Sequence, residues 1–220
     1  MRIELIRHTP APESLVALGA RLCYSKTTLD DLQERVSSHD QTEFIGRIMS
    51  MGHDSVLEHA SFTFLIEDVS RVLLAQITRH RLASFSVQSQ RYCGAAPEWV
   101  VPPSFIELGM EQEYIDDCNA AYERFSDYCI RGVPEEDARF ILPQGVTCRM
   151  MVTMNVRELR HFFSLRCCSR AQWEIRELAD EMLRLCKETA PLLFADAGPG
   201  CVRGHCPEGE KSCRREKKCE

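Results

Sequence analysis

The chain of 220 residues lacks any run near the roughly 20 apolar residues that a membrane-crossing helix needs. Its start, MRIELIRHTP, has no long apolar core of the signal-peptide kind, so a cytoplasmic protein is expected. There is no G-x-G-x-x-G turn, so a bound dinucleotide would not sit on a Rossmann turn; the P-loop pattern is missing as well. The G-x-S-x-G elbow of a hydrolase serine is missing too. No cysteine directly follows a proline. Excess positive charge is also lacking: 27 Lys and Arg face 33 Asp and Glu, a net charge of -6. That disfavours coating of nucleic acid, which needs a broad basic surface. A local basic pocket in an acidic protein instead suits a small anionic ligand. No internal repeat or low-complexity tract occurs.

What is present is ordinary for a globular protein: 44% hydrophobic and 27% charged residues. A chain of this length buries a core without disulfide staples. Of twelve cysteines, Cys23, Cys93, Cys118, Cys129, Cys148, Cys167, Cys168 and Cys186 lie in periodic apolar surroundings and read as small core thiols in a reducing compartment. The other four, with His205, fall in the stretch 196–220, rich in Gly, Cys and charge, which reads as a mobile tail. Cys201, His205, Cys206, Cys213 and Cys219 could in principle hold zinc, but the tail has no C-x2-C spacing and no metal is expected.

Periodicity gives the elements. RIELIRH alternates as a strand, and PESLVALGARLCYS is an amphipathic helix with Leu15, Leu18 and Leu22 on one stripe. A second helix covers QTEFIGRIMSMG, stopped at Gly52, and HDSVLEH makes a turn or helical turn. ASFTFLIEDV is a strand with Ala60, Phe62, Phe64 and Ile66 on its buried face. SRVLLAQITRHR reads as a helix on which Gln76 and Arg79 share a face, and FSVQSQRYCGAAPEWVVPPS as an ordered loop. A long helix ends at Gly132, Pro134 opens another that Pro143 stops, and GVTCRMMVTM is a strand. Asn155 with Glu158, and Ser169 with Gln172, are capping-box patterns opening helices through Arg166 and toward Thr189. The sum is an α+β single domain, helix-dominated, with a small mostly antiparallel sheet.

RHRLASFSVQSQRY, residues 79–92, concentrates the chemistry. Arg79, His80 and Arg81 could simply be cations at a helix C-terminus. They could equally grip phosphate, whose oxygens match guanidinium forks. Gln88, Ser89, Gln90 and Arg91 add amides, a hydroxyl and a further guanidinium, the mix a nucleotide needs. Arg139 and Arg166 sit in apolar runs, as structural ion pairs or as ligand groups. Asn155, Arg157 and His161 are either a cap and a surface pair or a polar wall for a phosphate-bearing cofactor. His53, Glu58 and His59 lack the H-E-x-x-H register and read as structural.

RHR followed after seven residues by Ser89 is similar to the R-H-R-x7-S signature of the flavin-dependent thymidylate synthases. GHDSVLEHASFTF, ARFILP, TMNVRE and LRCCSRAQWEI resemble further family blocks in order, so the resemblance spans about residues 20–195. It implies the family's own fold and a homotetramer with shared active sites; neither a nucleic-acid nor a membrane partner is expected, from the acidic charge and the missing apolar run. It also implies FAD held without a Rossmann turn, and conversion of dUMP to dTMP with methylenetetrahydrofolate and NADPH. Carried over, Ser55, Arg79, His80, Arg81, Val87, Asn155, Arg157 and His161 would line FAD. Gln76, Ile77, Thr78, Arg79, Val87, Gln88, Ser89, Gln90, Arg91, Arg139 and Arg166 would hold dUMP. Arg166 matches the arginine that stabilises a polarised uracil, and so stands as the catalytic residue. Ser86-Val87 replaces a frequent Asn-Glu, His161 an Asn and Arg170 a His; Val87 could act only through its backbone. Cys93, the thiol nearest the signature, has no evident base beside it and is not read as a nucleophile. A flavin reductase without methylene transfer, and an RNA-binding module, are the rival readings.

Overall fold

The computed structural model describes residues 1–91, 98–204 and 206–213. In chain order these form β1 (Arg2–His8), α1 (Pro12–Leu22), α2 (Leu29–Ser38), α3 (Thr42–Ser50), β2 (Ser61–Ser70), α4 (Arg71–Ile77), β3 (Ala83–Val87), α5 (Pro103–Glu107), α6 (Glu111–Ile130), α7 (Glu135–Ala138), β4 (Thr147–Asn155), α8 (Val156–Arg166), α9 (Trp173–Thr189) and α10 (Pro191–Phe194). Helices dominate, and the strands make one antiparallel sheet in the order β1-β2-β4-β3. The fold is α+β, as the periodicity predicts. Among the described residues no helix is long and apolar enough to cross a membrane.

The chain separates into two compact units. Unit 1 holds residues 1–2, 65–79 and 85–151. Its core is Ile66, Val69, Leu73 and Ile77 with Cys118, Val146, Cys148 and Met150, all buried. Asp68, at φ +58°, interrupts the alternation of β2, so Val69 and Ser70 are both buried. Asp tolerates that left-handed conformation better than most residues. Ser70 then caps α4 by accepting from the Leu73 N–H. The indole N–H of Trp99 donates to Asn119 on α6 at 2.9 Å.

Unit 2 holds residues 3–64, 80–84 and 152–220. Phe62 and Phe64 of β2 meet Phe162 and Phe163 of α8, Leu178 and Met182 of α9 and Phe194 of α10 in a fully buried core. Each such phenylalanine contributes about 1.5–3 kcal/mol by burial. Phe194 stands edge-on to both Phe62 and Phe163. Arg160, not singled out from sequence, is the buried arginine of this unit. Its guanidinium contacts both carboxylate oxygens of Asp196, at 2.8 and 3.0 Å, and donates to the Leu193 carbonyl. Through this pair the start of the Cys-rich segment is held against α8, and two 3-10 turns follow at Gly200–Arg203 and Gly209–Lys211.

Several sequence expectations need correction. The buried stripe of α1 is Val16, Ala17 and Ala20; Leu22 is exposed, because the aliphatic count favoured leucines over the smaller residues that pack closely. Helix α2 was not anticipated, although Thr28 caps it by accepting from the Asp31 N–H. Helix α4 ends at Ile77, so Arg79, His80 and Arg81 follow it in a turn. Residues 85–87, read as the start of a loop, belong to strand β3 (Ala83–Val87), and α5 lies in the Pro-rich stretch. The helix after Pro134 tightens into a 3-10 turn at Arg139–Ile141 before Pro143 is reached. Gln172, not Ser169, caps α9, accepting from the Glu174 and Ile175 N–H groups. Cys23 is exposed, unlike the buried Cys118, Cys148, Cys167 and Cys186. Cys93 lies outside the described residues.

Candidate functional site

Unit 1 contains a cavity of about 750 Å³. Leu74, Leu142, Pro143 and Val146 give it an apolar lining, while Arg71, Thr78, Gln88, Ser89, Gln90, Arg139 and Gln144 supply polar groups. Of the residues assigned to nucleotide, Thr78, Val87, Gln88, Ser89, Gln90 and Arg139 therefore share one wall. The 88–91 segment is braced from several sides. The Gln88 N–H donates to the Arg149 carbonyl of β4 at 3.0 Å. The Ser89 hydroxyl accepts from the Arg91 N–H at 3.1 Å. Arg91 pairs with Glu136, whose carbonyl accepts from the Arg139 side chain.

Arg71 was missed in the sequence. Its guanidinium donates to the Gln88 carbonyl at 3.1 Å, and its Nε is buried with no hydrogen-bond partner. A signal existed: a cation in the first turn of α4, with no acidic residue beside it, opposes the helix dipole. Gln76 and Arg79 are not part of the cavity wall. Ile77 is wholly buried in the core, so any ligand contact from it would come through main chain. The Thr78 hydroxyl donates to the Leu74 carbonyl at the end of α4.

Unit 2 carries the residues assigned to flavin other than Arg79 and Val87, together with Arg166. Of these, His161 and Arg166 meet His80. The Nε–H of Arg166 donates to Nε2 of His80 at 3.2 Å, and Nδ1 of His80 lies 2.9 Å from a Glu158 carboxylate oxygen. Arginine Nε always bears hydrogen, so Nε2 is the acceptor and the single imidazole proton sits on Nδ1, donated to Glu158. Burial and the Arg166 and His161 charges hold the His80 pKa below its ordinary value, against the opposing pull of Glu158. The His161 ring stands edge-on to His80, at 5.9 Å between centroids.

The other assigned residues are partly engaged. The Asn155 side chain caps α8, accepting from the Glu158 N–H, and Arg157 pairs with Glu58. Both structural alternatives considered for them are thus realised, while Ser55 and His161 are exposed. Arg79 and Arg81 are exposed, and neither makes a side-chain hydrogen bond or ion pair among the described residues. A guanidinium with no such partner suits an anionic group. Within unit 2, the Arg81 guanidinium, the neutral His80 and the exposed face of α8 offer polar groups of the kind a phosphate-bearing cofactor takes. Among the described residues no group of His, Cys, Asp and Glu is placed to hold a metal; His205 and Cys219 lie outside them.

Residues 4–192 match the family model of the thymidylate synthase complementing proteins. Over 97% of its length the chain is 53% identical to the flavin-dependent thymidylate synthase of Geobacter sulfurreducens, covering 94% of that protein. It is 46% identical to the enzyme of the same name from Nitratidesulfovibrio vulgaris, over 97% of this chain and 94% of the relative. The corresponding protein of Pyrococcus horikoshii is 44% identical over 96% of this chain and 91% of its own length.

Proposed function

We propose, because this chain belongs to the thymidylate synthase complementing protein family, that it makes dTMP from dUMP as a flavin-dependent thymidylate synthase. Methylenetetrahydrofolate is its carbon donor and NADPH its reductant. We read it as a cytoplasmic homotetramer acting on small molecules, without nucleic-acid or membrane partners. Side chains such as Phe140, Ile130 and Leu108 in unit 1, each more than two-thirds exposed, support association of subunits. The observation that carries the reading is the unit 1 cavity. Its wall joins Ser89 and the amides of Gln88 and Gln90 to Arg139, which offers a guanidinium to a phosphate and amides to the edge of a base.

FAD would be held by Ser55, Arg79, His80, Arg81, Val87, Asn155, Arg157 and His161. When bound, it supplies the redox chemistry that no side chain can. The chain's own residues bind, orient and stabilise charge. Arg166, steadied at Nε by His80, offers a fixed positive group to negative charge developing on the pyrimidine ring. Ser89, oriented by the Arg91 N–H, positions dUMP. Gln76, Ile77, Thr78, Arg79, Val87 and Arg91 complete the assigned nucleotide contacts. We read the reaction as free of a cysteine nucleophile. In support, burial pushes the thiols of Cys118 and Cys186 up, which leaves them poor nucleophiles.

The test is dTMP formation by the purified protein from dUMP, methylenetetrahydrofolate and NADPH, with and without FAD. Flavin-dependent product is expected, and its abolition in a folded Arg166→Ala variant. NADPH consumption without dTMP would overturn the methylene-transfer step, and near-normal turnover of Arg166→Ala would remove that residue from it.

A further inference from the structure

We propose that Glu158 is a positioning residue of the active site: it fixes His80 in the tautomer whose Nε2 holds the Arg166 guanidinium. The proposal rests on the role given above to Arg166, but its geometry is independent of that role. Glu158, Phe162 and Arg166 are spaced by four along α8 and so share one helical face. All three meet the same imidazole. Glu158 lies 2.9 Å from Nδ1, and Phe162 stands edge-on at 5.0 Å between centroids. Arg166 reaches Nε2 at 3.2 Å. The backbone positions of Glu158 and Arg166 are about 12 Å apart along the helix. One ring, brought in from the turn after α4, bridges them.

A carboxylate 5% exposed needs a reason to be there. In a full capping box that carboxylate would accept from the Asn155 N–H, the reciprocal of the bond that the Asn155 side chain accepts from the Glu158 N–H. The carboxylate of Glu158 goes to His80 instead. A neutral imidazole has one hydrogen and can place it on either nitrogen. Left alone, His80 could take the Nε2–H form, which would turn a donor toward the Nε–H of Arg166. Glu158 removes that choice by demanding hydrogen on Nδ1. Protonation of both nitrogens is disfavoured from the other side, because Arg166 and His161 place positive or ionisable groups against the ring. Carboxylate, neutral imidazole and guanidinium thus follow one another with balanced charge, and His80 aims Arg166 through Nε.

The experiment uses flavin-loaded protein labelled with 15N-histidine, with His80 assigned by comparison with His80→Gln. Long-range 1H–15N correlation reports which nitrogen bears hydrogen. Wild type is expected to show His80 protonated at Nδ1 alone. Glu158→Leu is expected to gain Nε2–H signal and to lose kcat by on the order of tenfold to a hundredfold, the usual cost of misplacing a catalytic group. Its KM for dUMP should change far less. Glu158→Gln keeps an acceptor for the Nδ1–H and should restore the tautomer and most of the rate. A wild-type Nε2–H tautomer overturns the proposal, as does a Glu158→Leu variant that loses thermal stability but keeps tautomer and kcat. Should Glu158→Leu not fold, the wild-type tautomer and the Gln variant still decide. Full turnover by Arg166→Ala would instead sink the catalytic role of Arg166, leaving the tautomer measurement to judge the geometry alone.

Discussion

A neutral imidazole enclosed by a carboxylate, a guanidinium and a second histidine makes the folded state sensitive to acid. The His80 pKa is depressed in the fold from its ordinary 6.5. Above pH 6.5 the ring is neutral in folded and unfolded chain alike and contributes no slope. Below it the unfolded chain binds a proton that the folded His80 refuses, so stability falls as pH falls. The slope from this residue approaches at most about 1.4 kcal/mol per pH unit. Thermal unfolding from pH 7.5 to 5 should therefore decline more steeply for wild type than for His80→Gln; equal slopes would refute a depressed His80. Ser89 makes a second expectation at this scale. Ser89→Ala should lower kcat/KM for dUMP by about tenfold, the worth of one positioning hydrogen bond, without abolishing turnover. Complete loss with unchanged dUMP affinity would instead indicate a nucleophile.

Elements position these residues by close approach as much as by hydrogen bonds. Gly145 leads into β4 between two cavity residues, Gln144 and Val146. A Cβ there would fall 2.1 Å from the Tyr114 hydroxyl and 3.3 Å from the Val100 carbonyl, which that hydroxyl contacts. Gly145→Ala should thus displace Tyr114 on α6 and cost about 1–3 kcal/mol, measured by denaturant unfolding. Strand β2 was legible in the sequence because its alternation of Phe62, Phe64 and Ile66 matches a one-sided core. So were α6 and α8, with a glycine stop and an asparagine cap. Strand β3 was not, since its five residues carry polar Ser84 and Ser86 and run into turn-forming residues. The wall of the unit 1 cavity was visible as a motif, but Arg71 was not, and nothing local ties Glu158 to a histidine 78 residues away.

At the scale of the whole chain, polar ties join segments far apart in sequence. The Arg160–Asp196 pair is one, joining α8 to the segment after α10. Asp196→Ala would leave the buried guanidinium with the Leu193 carbonyl. A loss of about 2 kcal/mol is expected, less than for a fully buried pair because the carboxylate is half exposed. Limited proteolysis should cut the variant's 196–213 segment faster than the wild type's; equal rates would show that the pair does not secure it. The order β1-β2-β4-β3 also has a consequence in time. Strand β4 begins at Thr147, 77 residues after β2 ends at Ser70, and lies between β2 and β3. At roughly 5–20 residues per second of synthesis, β2 waits roughly 4 to 15 seconds on the ribosome for its second neighbour. Throughout that interval the edge of β2 that β4 will take stands open to wrong partners. The nascent chain is thus exposed in its middle stretch of synthesis, from Ser70 to Thr147 of its 220 residues.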